Sequence, residues 1–337
     1  MAQPDKSQLH VNQPLTQISI AYMQDVTNFI ADRVFPMIPS EKQSDIYREY
    51  PRDWWWRTEA AVRAPGAPSA GSGYAISSTQ TYYCWPYALH HDIPDINRAA
   101  ADADIDLDRN GTLLITQQML IKRDRVFVDN HFTAGKWTGS SGSTDITGVD
   151  GSTGIGNNSV LQWSDVSSTP IEDIDMAKLA IAERTGGRIP KKAIFGPHVI
   201  RFLRNHPDII DRIKYTREGI VDIELLASLF GLDEILVPYA VQSLIPEGTT
   251  EVGTRGFMYG RNVWLGFVNP NPSPLTPSAG YTFAWTGLTG GPASMGMQIK
   301  KYHIDELGVD RIEAEMAFDI KQICADCGVF FSGIVST

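Results

Sequence analysis

The stretch from about Ile105 to Gly135 constrains this chain more than any other. Alternating acids lead into it, Asp102, Asp104, Asp106 and Asp108. Apolar doublets follow: Leu113-Leu114, Leu120-Ile121 and Phe127-Val128, with Met119 and Val126 beside them. Apolar residues recurring at this spacing mark a helix that buries one face. The acids fall at its start, where the helix macrodipole is positive, and Lys122, Arg123 and Arg125 fall in its second half. Gly135 is placed to end it. At about 1.5 Å per residue such a helix spans roughly 40 Å, enough to be the strut on which a domain is built.

A helix of this kind needs a surface to cover, and the C-terminal part supplies one. Ile312, Ala314, Met316, Phe318 and Ile320 alternate with Arg311, Glu313, Glu315 and Asp319. A period of two is a strand with one buried face. Met297 to Ile304 forms the preceding strand, joined through the turn Asp305-Glu306-Leu307-Gly308, and Gly328-Val329-Phe330-Phe331 adds a last one.

Between helix and strands lies a block, about 165–295, with the alternation of an α/β domain. Thr169 reads as a helix N-cap, Pro170 as its first helical residue and Glu172 as the partner closing a capping box. Ile171, Ile174 and Ile181 mark the buried face, and Gly186-Gly187 ends the helix. Strands are expected at Lys192–Phe195, Glu234–Val237, Phe257–Gly260 and Val263–Val268. Helices are expected from His198 to about Arg204, Asp208 to Tyr215 and Ile220 to Phe230. Gly139 to Asn158, rich in Gly, Ser, Thr, Asp and Asn, reads as a loop. The block is thus inserted between two halves of one peripheral domain.

The N-terminal third is unlike a compact domain. Residues 1–15 are polar, and a short amphipathic segment runs from Leu15 to Ile30 before Pro36 and Pro39. Over 41–95 two β-arms flank a tip of small residues, Ala60 to Gly73. The arms carry Trp54-Trp55-Trp56 and Tyr82-Tyr83-Cys84-Trp85-Pro86-Tyr87. A two-stranded hairpin alone is barely stable in water. Its tryptophans, left exposed, form a larger apolar patch than lone monomers show. They either fold back into the chain's own core or pack on another subunit.

Composition narrows the function. The 337 residues carry a net charge of −10, which disfavours broad contact with a nucleic-acid backbone. The N-terminus lacks a basic region followed by an apolar run, and no apolar run reaches membrane-spanning length. Three cysteines imply no disulfide framework. Cys324-Ala325-Asp326-Cys327 has redox or zinc spacing but no second ligand pair, so small buried residues are the expectation. His90-His91-Asp92 places adjacent histidines on opposite strand faces. The alternating aspartates lack the glycine and closing glutamate of a calcium loop. No nucleophile elbow, phosphate loop or dinucleotide glycine pattern occurs, so no catalytic, cofactor or metal residue is assigned and the chain is read as no enzyme.

With these parts in order, the chain resembles a tailed-bacteriophage major capsid protein, of the fold shared with encapsulins and the floor of herpesvirus capsids. Phe29-Ile30-Ala31-Asp32-Arg33-Val34-Phe35-Pro36 is similar to that family's N-terminal arm, and Arg63-Ala64-Pro65-Gly66 sits where the tip of its extended loop would be. His91-Asp92-Ile93-Pro94-Asp95 and Ile105-Asp106-Leu107-Asp108-Arg109 resemble the lead into its spine helix. Ser168-Thr169-Pro170-Ile171-Glu172-Asp173-Ile174, His206-Pro207-Asp208-Ile209, Arg212-Ile213-Lys214-Tyr215 and Pro277-Ser278-Ala279-Gly280-Tyr281-Thr282-Phe283 resemble its axial domain.

The resemblance implies an α+β fold with an N-terminal arm (1–40), an extended β-hairpin loop (41–95), a peripheral domain with the spine helix (96–164), an axial domain (165–295) and returning peripheral strands (296–337). It implies a structural subunit of an icosahedral shell in the virion. Such subunits assemble in the host cytoplasm into hexamers and pentamers that enclose double-stranded DNA without sequence-specific binding. A portal, a separate scaffolding protein and a decoration protein are implied partners; a membrane or cofactor is not. Trp54, Trp55, Trp56, Arg63, Pro65, Trp85, Phe29 and Phe35 are the candidate intersubunit contacts. The alternatives are an encapsulin-like compartment and a hydrolase whose tryptophans stack on polysaccharide.

Overall fold

A computed structural model describes residues 23–101, 105–139, 145–151, 158–213, 221–243, 255–272, 276–289 and 297–336. The expected arm before residue 23, Asp102, Asp104, Lys214 and Tyr215 lie outside the described residues.

In chain order, α1 (Ala31–Val34) leads to β1 (Met37–Ser40). The antiparallel pair β2 (Ser44–Glu49) and β3 (Ser77–Tyr83) follows, with α2 (Arg52–Trp55) between its strands. Only Cys84 separates β3 from β4 (Trp85–Pro94), which leads to α3 (Asp95–Ala100) and the 25-residue α4 (Leu107–His131). Next come β5 (Ile146–Val149), β6 (Ser159–Leu161), α5 (Pro170–Thr185), β7 (Lys192–Phe195), α6 (Pro197–Leu203), α7 (Pro207–Ile213), α8 (Ile223–Phe230) and β8 (Glu234–Leu236). The short pair β9 (Val241–Ser243) and β10 (Arg255–Phe257) precedes β11 (Val263–Gly266) and β12 (Gly280–Trp285). The last strands are β13 (Met297–Ile304), β14 (Val309–Gln322) and β15 (Gly328–Ser332).

Two sheets organise these elements. The first runs β1-β12-β14-β13, with β4 also paired to β14 over ten residues. The second runs β6-β5-β15-β11-β7-β8. Its central strands are buried on both faces, and their alternation sends successive side chains into two different cores. Ile194, Trp264 and Phe330 join the core under α4, whereas Phe195, Val263, Leu265, Val329 and Phe331 join the core under α5. The second sheet is the partition between the cores.

The long helix covers the alternating strand as expected. Ile115, Met119, Phe127 and Val128 share a core with Ile312, Ala314, Met316, Phe318 and Ile320. Its buried stripe includes only one whole doublet, Phe127-Val128, however. Gly111, Ile115 and Met119 recur every fourth residue, and Leu113 and Leu114 point to solvent. Successive helical residues diverge by about 100°, and of the doublets only Phe127-Val128 buries both members, while Leu120 and Ile121 are partly buried. Gly111 is required at the closest approach: a Cβ there would come within 2.8 Å of the His91 ring on β4.

The helix begins where its acids predict. The Asp106 carboxylate accepts from Arg109 N (3.0 Å), and Asp108 accepts from Arg98 (2.8 Å) and Lys301 (2.7 Å). It ends earlier than expected, at His131, because Phe132 N–H already donates to Phe127 and Val128 carbonyls, and Gly135 serves the following turn.

Other expectations need correction. Gly139 to Asn158 is not all loop, since β5 lies within it and pairs with β15 and β6. Gly328–Phe331 does not extend the first sheet; β15 crosses into the second. β12, expected within the axial span 165–295, pairs with β1 and β14 of the first sheet. Thr169 occupies the N-cap of α5 without a side-chain capping bond. Its carbonyl accepts from Asp173 N (3.1 Å), and the Asp173 carboxylate accepts from Trp163 Nε1 (2.8 Å).

Candidate intersubunit surface

The hairpin of β2 and β3 is anchored at its base by polar and aromatic contacts to the first sheet. Tyr82 stacks on Phe283 of β12 with centroids 4.3 Å apart and planes 6° apart. The Tyr82 hydroxyl and Ser40 Oγ share a hydrogen bond of 2.7 Å. Tyr83 N–H donates to the Asp319 carboxylate on β14 (2.9 Å), and Trp285 Nε1 donates to Glu41 O (3.1 Å). Burial holds the Asp319 carboxyl above its usual value, opposed by the Tyr83 N–H and by Lys321. The base is therefore finished structure.

Beyond the base the hairpin exposes its apolar surface. Trp54, Trp55 and Trp56 are all exposed, as are Val62, Tyr74 and Ile76. The rings form a small cluster of their own, with Trp55 5.6 Å from Tyr74 and Tyr50 6.4 Å from each. Arg57 lies over the Trp54 ring at 4.2 Å, a geometry in which the ring's negative face attracts the guanidinium.

Trp56 touches a second body of the chain. Its ring lies over Gly186, the left-handed residue (φ +72°) that ends α5, where a Cβ would meet the ring at 2.9 Å. At the tip, Ala67 N–H closes a turn onto Ala64 O (3.1 Å) and Arg63 Nε donates to Ala67 O (2.5 Å). Arg63 and Pro65 both face solvent. Trp85 opens β4 with its indole 58% exposed and 4.5 Å from the Tyr83 ring.

Two of the eight candidates are corrected. Phe29 and Phe35 are buried in the chain's own core. Phe35 is fully enclosed, edge-on to Phe127 at 5.2 Å and Trp264 at 6.1 Å, so its side chain holds the arm's root to the body. The backbone beside it is fixed from α4: the Asp124 carboxylate accepts from Ile30 N (3.0 Å), Ala31 N (3.2 Å) and the Tyr259 hydroxyl (2.8 Å). Burial pushes this carboxyl up to about 6 against those three donors.

Sequence reading missed Tyr50, Tyr74, Gly186 and Asp319. Asp319 was legible as an outward-facing residue of an alternating strand, but its partner was not. Gly186 was legible only as a helix stop.

Three polar clusters are held by ion pairs and hydrogen bonds of the fold. Asp92 and Arg311 make a two-pronged ion pair (2.7 and 2.8 Å) across β4 and β14. Asp95, His303 and Asp310 converge, yet Arg98 already contacts Asp310 at 2.7 Å. The buried His206 ring nitrogen Nδ1 accepts from Asp208 N (3.3 Å), which leaves Nε2 as the donor toward Asp165 O (3.1 Å) or Ser168 Oγ (2.9 Å). Oriented this way, the imidazole does not take a proton from Ser168. No helix among the described residues is long and apolar enough to cross a membrane.

Two cores divided by a doubly buried sheet, a long covering helix and an exposed aromatic hairpin make up the architecture. The chain has the mixed α and β fold of tailed-bacteriophage major capsid proteins, shared with encapsulins. In sequence it is similar to the major capsid protein of Burkholderia phage BcepMu, 22% identical over 342 residues that cover 97% of this chain and 98% of that protein. In structure it is similar to a phage-related protein from Bordetella bronchiseptica (TM-score 0.64, 21% identity, 91% of this chain and 93% of the other). It is also similar to the mature capsid of bacteriophage PhiM1 (TM-score 0.57, 10% identity, 93% and 89%). The SrpI encapsulin of Synechococcus elongatus matches as well (TM-score 0.52, 11% identity, 100% and 97%). No protein-family model matches.

Proposed function

We propose that this chain is the major capsid subunit of a tailed bacteriophage. It assembles with copies of itself into hexamers and pentamers of an icosahedral shell, formed in the host cytoplasm, that encloses double-stranded DNA in the virion. The observation that carries the reading is the hairpin, whose aromatic row stays exposed while both cores of the chain are closed. The near end-to-end match to a phage major capsid protein supports it. So does the net charge of −10, because a wall that bound DNA tightly would hinder its packing.

Within the shell, Trp54, Trp55, Trp56, Arg63, Pro65 and Trp85 contact neighbouring subunits. A portal and a separate scaffolding protein complete the particle, to which a decoration protein can be added. The same patch repeated around a closed shell must serve slightly different angles, which a two-stranded hairpin tolerates.

The test is expression of the chain alone and with its neighbouring phage genes, followed by electron microscopy. Rings or regular shells are expected, and replacing Trp54, Trp55 and Trp56 together with Ser should abolish them while the subunit stays folded. A monodisperse monomer with affinity for glycans would overturn the reading in favour of a polysaccharide-binding protein. The encapsulin-like alternative separates on content: nuclease-protected DNA inside particles recovered from infected cells excludes it.

A further inference from the structure

The crossover from the first sheet to the second carries Cys324-Ala325-Asp326-Cys327. Cys327 N–H donates to Cys324 O (3.3 Å), closing a single 3-10 turn over Ala325–Cys327. A turn of this kind brings its first and fourth Cα atoms within about 7 Å, and a disulfide spans about 4.4–6.8 Å.

The turn is also clamped from three directions. Thr138 N donates to Ala325 O (3.4 Å) and Thr138 Oγ1 to Asp326 Oδ1 (2.9 Å). Phe267 N donates to Cys327 O (2.8 Å), and Cys324 N reaches Ala279 O at 3.5 Å. The turn that carries both cysteines is thus fixed in place by neighbouring backbone. Cys84 differs: it is buried between the hairpin base and β12, where its thiol donates to Phe283 O (3.5 Å).

We propose that Cys324 and Cys327 are a redox-active dithiol that closes to an intrachain disulfide on meeting a small-molecule disulfide such as oxidised glutathione. Cys324 is only partly buried and Cys327 fully buried, so the first attack belongs to Cys324. The hydrogen bond from the Cys327 thiol lowers the Cys324 pKa, and the same contact together with burial raises that of Cys327. Cys324 gives up its proton, and its thiolate breaks the glutathione S–S bond, forms a mixed disulfide and releases one glutathione thiolate. The Cys327 thiol then passes its proton to the released thiolate and attacks the Cys324 sulfur, expelling the second glutathione thiolate, which takes up the remaining proton. Two protein thiols are oxidised by two electrons and one glutathione disulfide is reduced to two thiols. The dithiol stays open in a reducing cytosol and closes in an oxidising medium, fixing the strand-to-strand crossover there.

The experiment incubates the purified, pre-reduced full chain with oxidised glutathione and reads mass and peptide maps. The expected result is loss of two hydrogens, located to a Cys324–Cys327 link, in wild type and in Cys84→Ser. Cys327→Ser should instead trap a glutathione adduct on Cys324, and Cys324→Ser should show neither product. The proposal is overturned if both thiols remain free when an equal concentration of dithiothreitol is fully oxidised. It is equally overturned if Cys84 is the residue modified. The wild-type measurement stands without any variant, and circular dichroism verifies the folding of each substitution.

Discussion

The interior beneath α4 and the surface of the hairpin invert the usual placement of residues. Under α4 the chain buries polar groups and gives them partners in its own backbone and side chains: Asp124 accepts three hydrogen bonds at 1% exposure, and one His131 ring nitrogen meets Ile320 O at 3.0 Å. On the hairpin it exposes large apolar groups and leaves them to one another. The first region is closed mainly by its own chain, with Asp124 fully engaged although Arg123 Nε and Trp264 Nε1 are buried there without a hydrogen-bond partner. The second leaves its large apolar groups at the surface, where the proposed function places a neighbouring subunit. On the proposed function, burial separates what holds the subunit together from what would join subunits to each other.

Four measurements break or sharpen that contrast. The largest effect is expected from Phe35→Ala, which empties a fully buried aromatic site and should lower unfolding free energy by about 3–5 kcal/mol in denaturant titrations. A loss under about 1 kcal/mol would mean that Phe35 faces a neighbour after all.

Next in size are two opposed pH effects on one helix. Burial lowers His131 to about 4, against the Ile320 carbonyl, so its contribution is complete above its ordinary value near 6.5 and is lost as pH falls through about 4. Asp124 is raised to about 6, so its contribution is complete below its ordinary value near 3.8 and is lost as pH rises through about 6. The two slopes oppose each other between pH 4 and 6.5, each worth about 3 kcal/mol at about 1.4 kcal/mol per pH unit. Asp124→Asn should therefore unmask a steep acid destabilisation that His131→Gln does not show.

A smaller effect is expected at the hairpin's base. Asp319→Ala leaves Tyr83 N–H without its acceptor, costing about 1–2 kcal/mol. Faster amide exchange at Tyr83 with unchanged exchange along α4 is the expected signature. The smallest effect on the subunit belongs to the Trp54, Trp55 and Trp56 triple replacement by Ser, whose unfolding midpoint should stay near that of wild type, within about 1 kcal/mol. A cooperative loss of several times that amount would move these rings into the subunit's own core.

Much of the fold was legible because its periods are strong. The alternation from Ile312 to Ile320 announced β14, and the doublets of α4 announced a helix although they misplaced its buried stripe. What stayed hidden was long-range. Gly328–Phe331 reads as one more strand, and nothing local says that its even and odd residues serve different cores. The strand inside 145–151 was masked by a Gly- and Thr-rich composition that pairing with β15 overrides. At the hairpin, Trp54–Trp56 and the tip were legible as an aromatic arm. Phe29 and Phe35 were misjudged because a phenylalanine near a proline-bearing arm looks the same in sequence whether it grips its own chain or another.

The continuity of β3 into β4 has a mechanical consequence. A pull on the hairpin passes through Cys84 into Trp85 and runs along β4, which is laddered to β14 from Trp85–Phe318 to Pro94–Val309. Force directed along a strand loads all ten of those pairs together, whereas force across it would open them one after another. Tension gathered at the outermost part of the molecule is thereby delivered in shear to its longest strand, and from there to the helix that roofs it.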